Sequence, residues 1–136
     1  MNPRILAALR PEGIVAVQRS LGQYADLVPV YAYDEAVRRL ESAEDIDLIL
    51  CGIYFAQTRM FDLLRYVRAN RADVPFVACR IGETELPNVT LEAIGIASRS
   101  MGAAAFINLP LLRHQEMDHE FRGLVLRHLR QRPRPA

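Results

Sequence analysis

Lysine is absent from this chain: all 17 basic residues are arginine, set against 16 acidic ones. That absence excludes Schiff-base chemistry, a phosphate-loop lysine and any ammonium switch. Cysteine is scarce. Cys51 and Cys79 both fall in apolar runs, a pattern of reduced, buried thiols in place of a disulfide framework. Long hydrophobic runs are also missing, for none reaches the roughly 18 residues that cross a bilayer. The apolar start of MNPRILAALRPEG is cut by Arg10 and Pro11, too soon for a secretory signal. These absences together predict a cytoplasmic protein with no membrane segment. A net charge of +1 gives little reason to expect a nucleic-acid partner. The basic cluster Arg127, Arg130, Arg132 and Arg134 is the one feature that points that way.

What is present is a regular alternation. With 136 residues, 51% hydrophobic, the chain has the size of one domain. It is read as a domain over 1–130 followed by a flexible Arg/Pro tail over 131–136. Apolar strand candidates at Arg4–Leu9, Asp26–Tyr31, Asp47–Ile53, Val74–Cys79 and Ala103–Asn108 are separated by segments of helical period. Ile14, Val17 and Leu21 mark the first helix, closed by Gly22. Asp34 reads as the cap of the second, and Phe61–Ala69 is the third. Thr90–Ser100 is the fourth, ended by Gly102. Leu111–Arg130 is the fifth, with Leu112, Met117, Phe121, Leu124, Leu126 and Leu129 facing inward. Pro29 places the second strand at an edge, and Arg80–Val89 reads as a long loop. Five βα repeats predict an α/β, doubly wound parallel sheet with helices on both faces. Such sheets bind ligands at the carboxyl ends of their strands.

Three segments carry a further likeness. DLILCGIYFAQTRMFDLLRYVRA, VPFVACRI and MGAAAFINLP resemble, in order and spacing, the third strand to third helix, fourth strand and fifth strand of response-regulator receiver domains, the chemotaxis-type receiver fold. The resemblance covers Arg4 to about Arg130 and implies a flavodoxin-like strand order of 2-1-3-4-5. It also implies an aspartate that accepts a phosphoryl group, an acid pair for magnesium, a hydroxyl and a lysine. Those positions fall on Gly52 for the acceptor, Leu9 and Arg10 for the acids, Arg80 for the hydroxyl and Leu109 for the lysine. Phe106 and Pro110 keep the switch aromatic and the proline that follows the lysine position. The chain therefore resembles a degenerate receiver, or pseudo-receiver, with no catalytic residue, metal or cofactor. It is expected to be no enzyme, but a signalling module acting on a protein partner.

Further expectations follow for single residues. Arg10 and Arg80, with Tyr54, are candidates to line an anion-binding mouth; the plainer reading pairs both arginines with Glu12, Glu83 or Glu85. Tyr54 and Phe55 read as fillers of the space above the vacant site, and Cys51 and Cys79 as neighbours on one side of the sheet. His114 with Asp118, or Glu116 with His119, has helical spacing for a metal but lacks a third ligand. Asp47 and Asp62 are displaced acids, one at the wrong end of its strand and one on a helix. The apolar run from Ala97 to Leu112, which contains Met101, Phe106 and Pro110, reads as a homodimer face built from the fourth helix, fifth strand and fifth helix.

Overall fold

The structure is a computed structural model that describes residues 2–42, 45–82, 86–110 and 115–130. In chain order the elements are β1 (Arg4–Ala8), α1 (Pro11–Leu21), β2 (Asp26–Val30), α2 (Tyr33–Glu41) and β3 (Leu48–Gly52). They continue as α3 (Met60–Asn70), β4 (Phe76–Gly82), α4 (Asn88–Ser100), β5 (Ala105–Pro110) and α5 (Gln115–Leu126). The five strands form one parallel sheet in the order β2-β1-β3-β4-β5, the doubly wound arrangement expected from the sequence. The tail over 131–136 lies outside the described residues.

Strand position explains composition. β3 is buried at every residue, and β1 at all but its first, because central parallel strands are covered on both faces. β2 lies at an edge. Its Pro29 is exposed opposite Ala7, where a missing N–H costs no ladder bond.

Alternation along the strands splits the interior into two cores. Leu6, Ile49, Cys51, Phe76 and Ala78 face α2 and α3 through Ala36, Leu40, Leu63, Leu64 and Val67. Ile5, Leu48, Leu50, Val77 and Cys79 face α1 and α5 through Val17, Leu21, Phe121 and Val125. The α1–α5 side is tied by polar bonds as well: Arg19 forms a two-pronged pair with Asp118, and the Ser20 hydroxyl donates to the Asp118 carbonyl at 2.8 Å.

Several boundaries differ from the sequence reading. β4 runs on through Arg80 to Gly82, since β5 pairs with it as far as Pro110, so Arg80 is a strand residue and not part of a loop. α2 starts at Tyr33 with Ala32 at its N-cap; Asp34 lies in its first turn and makes no cap. α5 ends at Leu126, short of the Arg130 expected, while residues 111–114 and the side chain of Met117 lie outside the described residues. Gly102, at φ +106, closes the turn after α4. There it takes the left-handed backbone open to glycine, and Arg68 packs against it.

At the amino ends of the strands an ionic cluster fastens the chain's last turn. Asp47, nearly buried, accepts the Arg4 N–H at 2.9 Å, and the Arg130 N–H donates to the Asp47 carbonyl at 2.9 Å. Arg130 Nη1 meets Asp73 at 2.7 Å, and Arg71 holds the same carboxylate. Asp47 is thus a structural residue. Among the described residues no helix is long and apolar enough to cross a membrane.

The hydrogen bond from Arg71 holds the Asp73 carboxyl below its ordinary range, with Arg130 adding to the effect. A lowered folded pKa contributes stability that is present above the unfolded value and lost as pH falls through the folded one. Asp73→Asn is therefore expected to reduce stability at neutral pH, by under about 1 kcal/mol for so exposed a pair. In urea titrations the gap to wild type closes as pH is lowered through and below the ordinary carboxylate range.

Candidate functional site

The carboxyl ends of β1, β3, β4 and β5 bring Leu9, Arg10, Gly52, Arg80 and Leu109 to one edge of the sheet. Side-chain direction then separates them into three environments.

Leu9, Gly52 and Leu109 turn toward α1 and α5. Leu9 and Leu109 are each 2% exposed and belong to the same core as Phe121 and Val125. Leu9 lies directly over Gly52: a Cβ placed at position 52 would stand 3.1 Å from Leu9 Cδ2 and 3.9 Å from the Cys79 carbonyl oxygen. At Gly13, in the first turn of α1, an added Cβ would stand 3.4 Å from Leu9 Cβ. The cavity left at Gly52 is about 20 Å³, room for one water molecule. An apolar plug therefore stands where the resemblance places an acceptor and its acids.

Arg80 points to the opposite face. It is 5% exposed, and its Nη1 donates to the Asn108 side-chain oxygen across the β4–β5 register at a long 3.4 Å. Its Nη2 is buried without an acceptor among the described residues. Burying a guanidinium with so little compensation is expensive. Arg10 instead leaves the sheet at the start of α1, with its side chain 60% exposed and paired to Glu12 at 3.0 Å. The two arginines thus do not share a mouth as expected, because Arg80 lies within β4 on the opposite face while Arg10 stands beyond β1 at the N-cap of α1.

The aromatics are divided in the same way. Phe55 is fully buried against the α2–α3 core, whereas Tyr54 is 39% exposed. The volume above the sheet is filled by Phe55 and Leu9, not by Tyr54. Tyr54 instead borders an open cleft of about 400 Å³ with Leu9, Arg10, Pro11, Tyr31, Ala56 and Gln57. Phe106 is half-buried, and its ring lies across Gly95 of α4, where an added Cβ would be 3.2 Å from Cδ2. Met101, at the end of α4, packs against the same core. Pro110 ends β5, and its side chain lies outside the described residues.

The remaining candidates supply no reactive centre. Cys51 and Cys79 lie in opposite cores, which corrects the expectation that they share a side. Burial raises both thiols well above their ordinary range, Cys51 also through its neighbour Cys79, so neither is a thiolate near neutral pH. Asp118 is engaged by Arg19, His114 lies outside the described residues, and Asp62 pairs with Arg59 and Arg65 on α3. Among the described residues no cluster of three His, Cys, Asp or Glu can hold a metal. Magnesium requires oxygen ligands including carboxylates, and the residues at Leu9, Arg10 and Gly52 do not fit it.

Against solved structures the chain is similar to a response regulator from Thermotoga maritima, with a TM-score of 0.70, 17% identity, and coverage of 93% of this chain and 99% of that one. The N-terminal signal receiver domain of a Bacteroides fragilis response regulator gives 0.71 at 14% identity, covering 94% and 97%. A two-component response regulator from Clostridium difficile gives 0.66 at 13%, covering 93% and 97%. The fold is the receiver fold. No protein-family model matches the sequence, and no curated protein matches it either. Within this receiver fold, Tyr31 is the site residue that sequence reasoning missed. The strand order alone signals it, since β2 ends beside β1.

The plug makes a direct prediction. Gly52→Asp pushes a carboxyl group against Leu9 in a buried position and costs on the order of 3 kcal/mol. Gly52→Ala costs under about 1 kcal/mol, because the terminal methyl of Leu9 can yield. Urea denaturation of both variants measures this, and equal stability of Gly52→Asp and wild type would overturn the apolar-plug description.

Proposed function

We propose that this chain is a receiver-like signalling module of bacterial two-component type that has lost phosphotransfer and acts in the cytoplasm by contact, pairing with a second copy of itself. The observation that carries the reading is Leu9 seated on Gly52: phosphotransfer needs an acceptor, a metal and a charge-stabilising group at that point, and aliphatic side chains fill it. Nothing at the site supports an enzymatic role.

The proposed contact lies on α4. Val89 and Ile96 are 78% and 54% exposed; with Ala93 between them at helical spacing they form an unpartnered apolar stripe. Glu92 and Arg99, both exposed, stand seven residues apart along one flank of that stripe. In a two-fold pairing with antiparallel α4 helices, Glu92 of each copy meets Arg99 of the other, the self-complementarity that an isologous interface requires. This moves the face proposed from sequence, the run from Ala97 to Leu112, toward the amino-terminal part of α4. In that run Ser98, Ala103, Ile107 and Leu109 are buried within the subunit.

Two experiments test the reading. Intact mass after incubation with a small-molecule phosphodonor and magnesium is expected to show no added phosphoryl group; a stable adduct would sink the loss of phosphotransfer. Light scattering behind a sizing column is expected to give a dimer that Ile96→Glu converts to a monomer with unchanged melting temperature. Glu92→Arg weakens the dimer, and the double exchange with Arg99→Glu restores it. A monomeric wild type at about 100 µM, a concentration far above typical working affinities, would remove the homodimer.

A further inference from the structure

In an open parallel sheet, ligands settle in the crevice where chain progression reverses direction. Here that point lies between β1 and β3, since β1 leads outward to β2 and β3 leads the other way to β4 and β5. The 400 Å³ cleft stands at this crevice, built from the ends of β1, β2 and β3. Its size falls within the range of small-molecule sites.

Its lining is chemically distinct from the plug beside it. Tyr31 and Tyr54 are 48% and 39% exposed, two aromatic faces held in water on either side of Arg10. Leu9, Pro11 and Ala56 supply apolar wall. Ala56 and Gln57 carry φ values of 47° and 71°, two successive non-glycine residues in the left-handed region, which costs free energy and concentrates at ligand-binding segments. Both line the cleft. Among the described residues Arg10 is held by Glu12, and with the two side chains 60% and 49% exposed that ion pair is worth little and readily exchanges for another anion. Among the described residues no carboxylate lines the cleft, a lining that favours an anion over a metal cation.

We infer that this cleft is a binding site for a small planar aromatic anion, its ring set against Tyr31 and Tyr54 and its carboxylate or phosphate on the Arg10 guanidinium. Arg10 provides a fixed fork of donors that matches such oxygens, and the tyrosine rings provide sequence-neutral stacking surface. The site is independent of the dimer on α4, so either can fail without the other.

The test is an NMR titration of the ¹⁵N-labelled full chain with indole-3-acetate and with adenosine monophosphate; acetate, inorganic phosphate and indole carry one feature each. At least one of the two ring-bearing anions is expected to saturate amide shifts at Tyr31, Tyr54, Ala56 and Gln57. Which one saturates tells a carboxylate ligand from a nucleotide. Each single-feature compound is expected to bind at least about tenfold more weakly, the loss of one contact worth roughly 1.4 kcal/mol. Arg10→Met and Tyr54→Ala, both at exposed positions and both expected to keep the wild-type spectrum elsewhere, each weaken the saturating probe about tenfold. Unsaturable shifts with both anions, shifts centred away from these four residues, phosphate alone binding as tightly, or an unchanged affinity in Arg10→Met would each overturn the site.

Discussion

Leu9 closes over Gly52 so tightly that an added Cβ would stand 3.1 Å from Leu9 Cδ2, and the arrangement of the sheet's carboxyl edge depends on that fit. A side chain at position 52 would press the leucine toward α1, where Gly13 leaves space that an added Cβ would close to 3.4 Å from Leu9 Cβ. With glycine there, the α1–α5 core extends without interruption from Ile5 to Leu9 on β1 and to Leu109 on β5. Residues that would otherwise be reserved for chemistry are absorbed into packing. Dense packing of this kind leaves no room for a hydrated ion, which is why the 20 Å³ remaining at Gly52 reads as a leftover of packing and not as a pocket.

The same contact sends polar groups elsewhere. Arg80 follows the alternation of β4 onto the α2–α3 face, the side that also carries Phe106 and, next to Arg80 on β5, Asn108. Its guanidinium is thus separated by the thickness of the sheet from Gly52 and Leu9. Arg10, two residues beyond β1 at the N-cap of α1, turns its side chain to solvent. Two arginines that stand near one another in a strand-end alignment therefore end up on unrelated surfaces.

How much of this could be read from sequence follows from periodicity. β1 and β3 were legible because central strands are apolar on both faces and need no register to recognise. Arg80 was not: a charged residue after VPFVAC reads as the first of a loop, and only pairing with β5 as far as Pro110 keeps it in the strand. The cysteines were misplaced for a related reason. Cys51 pairs with Ala78, and Cys79 with Gly52, and an offset of one residue moves a side chain to the other face. For Tyr54 and Phe55 no period applies, since the chain has left β3; which of two adjacent aromatics turns inward is decided by the turn, where Phe55 N–H bonds back to the Gly52 carbonyl at 3.0 Å. That the positions the resemblance singles out hold Leu9, Arg10, Gly52 and Leu109 is read from the sequence itself.

α4 shows how the inner and outer surfaces are linked. Gly95 and Ser98 are its fully covered residues, and the Ser98 hydroxyl bonds back to the Gly95 carbonyl at 3.0 Å, so small groups meet the sheet. Gly95 is small for a reason on the inside: the Phe106 ring occupies the space a methyl group would need. Ile94 packs against the core from the same helix, while the large aliphatic residues Val89 and Ile96 are left on the outside. Turning the helix to bury them would drive the ring out of its seat on Gly95. The exposure of Val89 and Ile96 thus goes together with how β5 packs against Gly95.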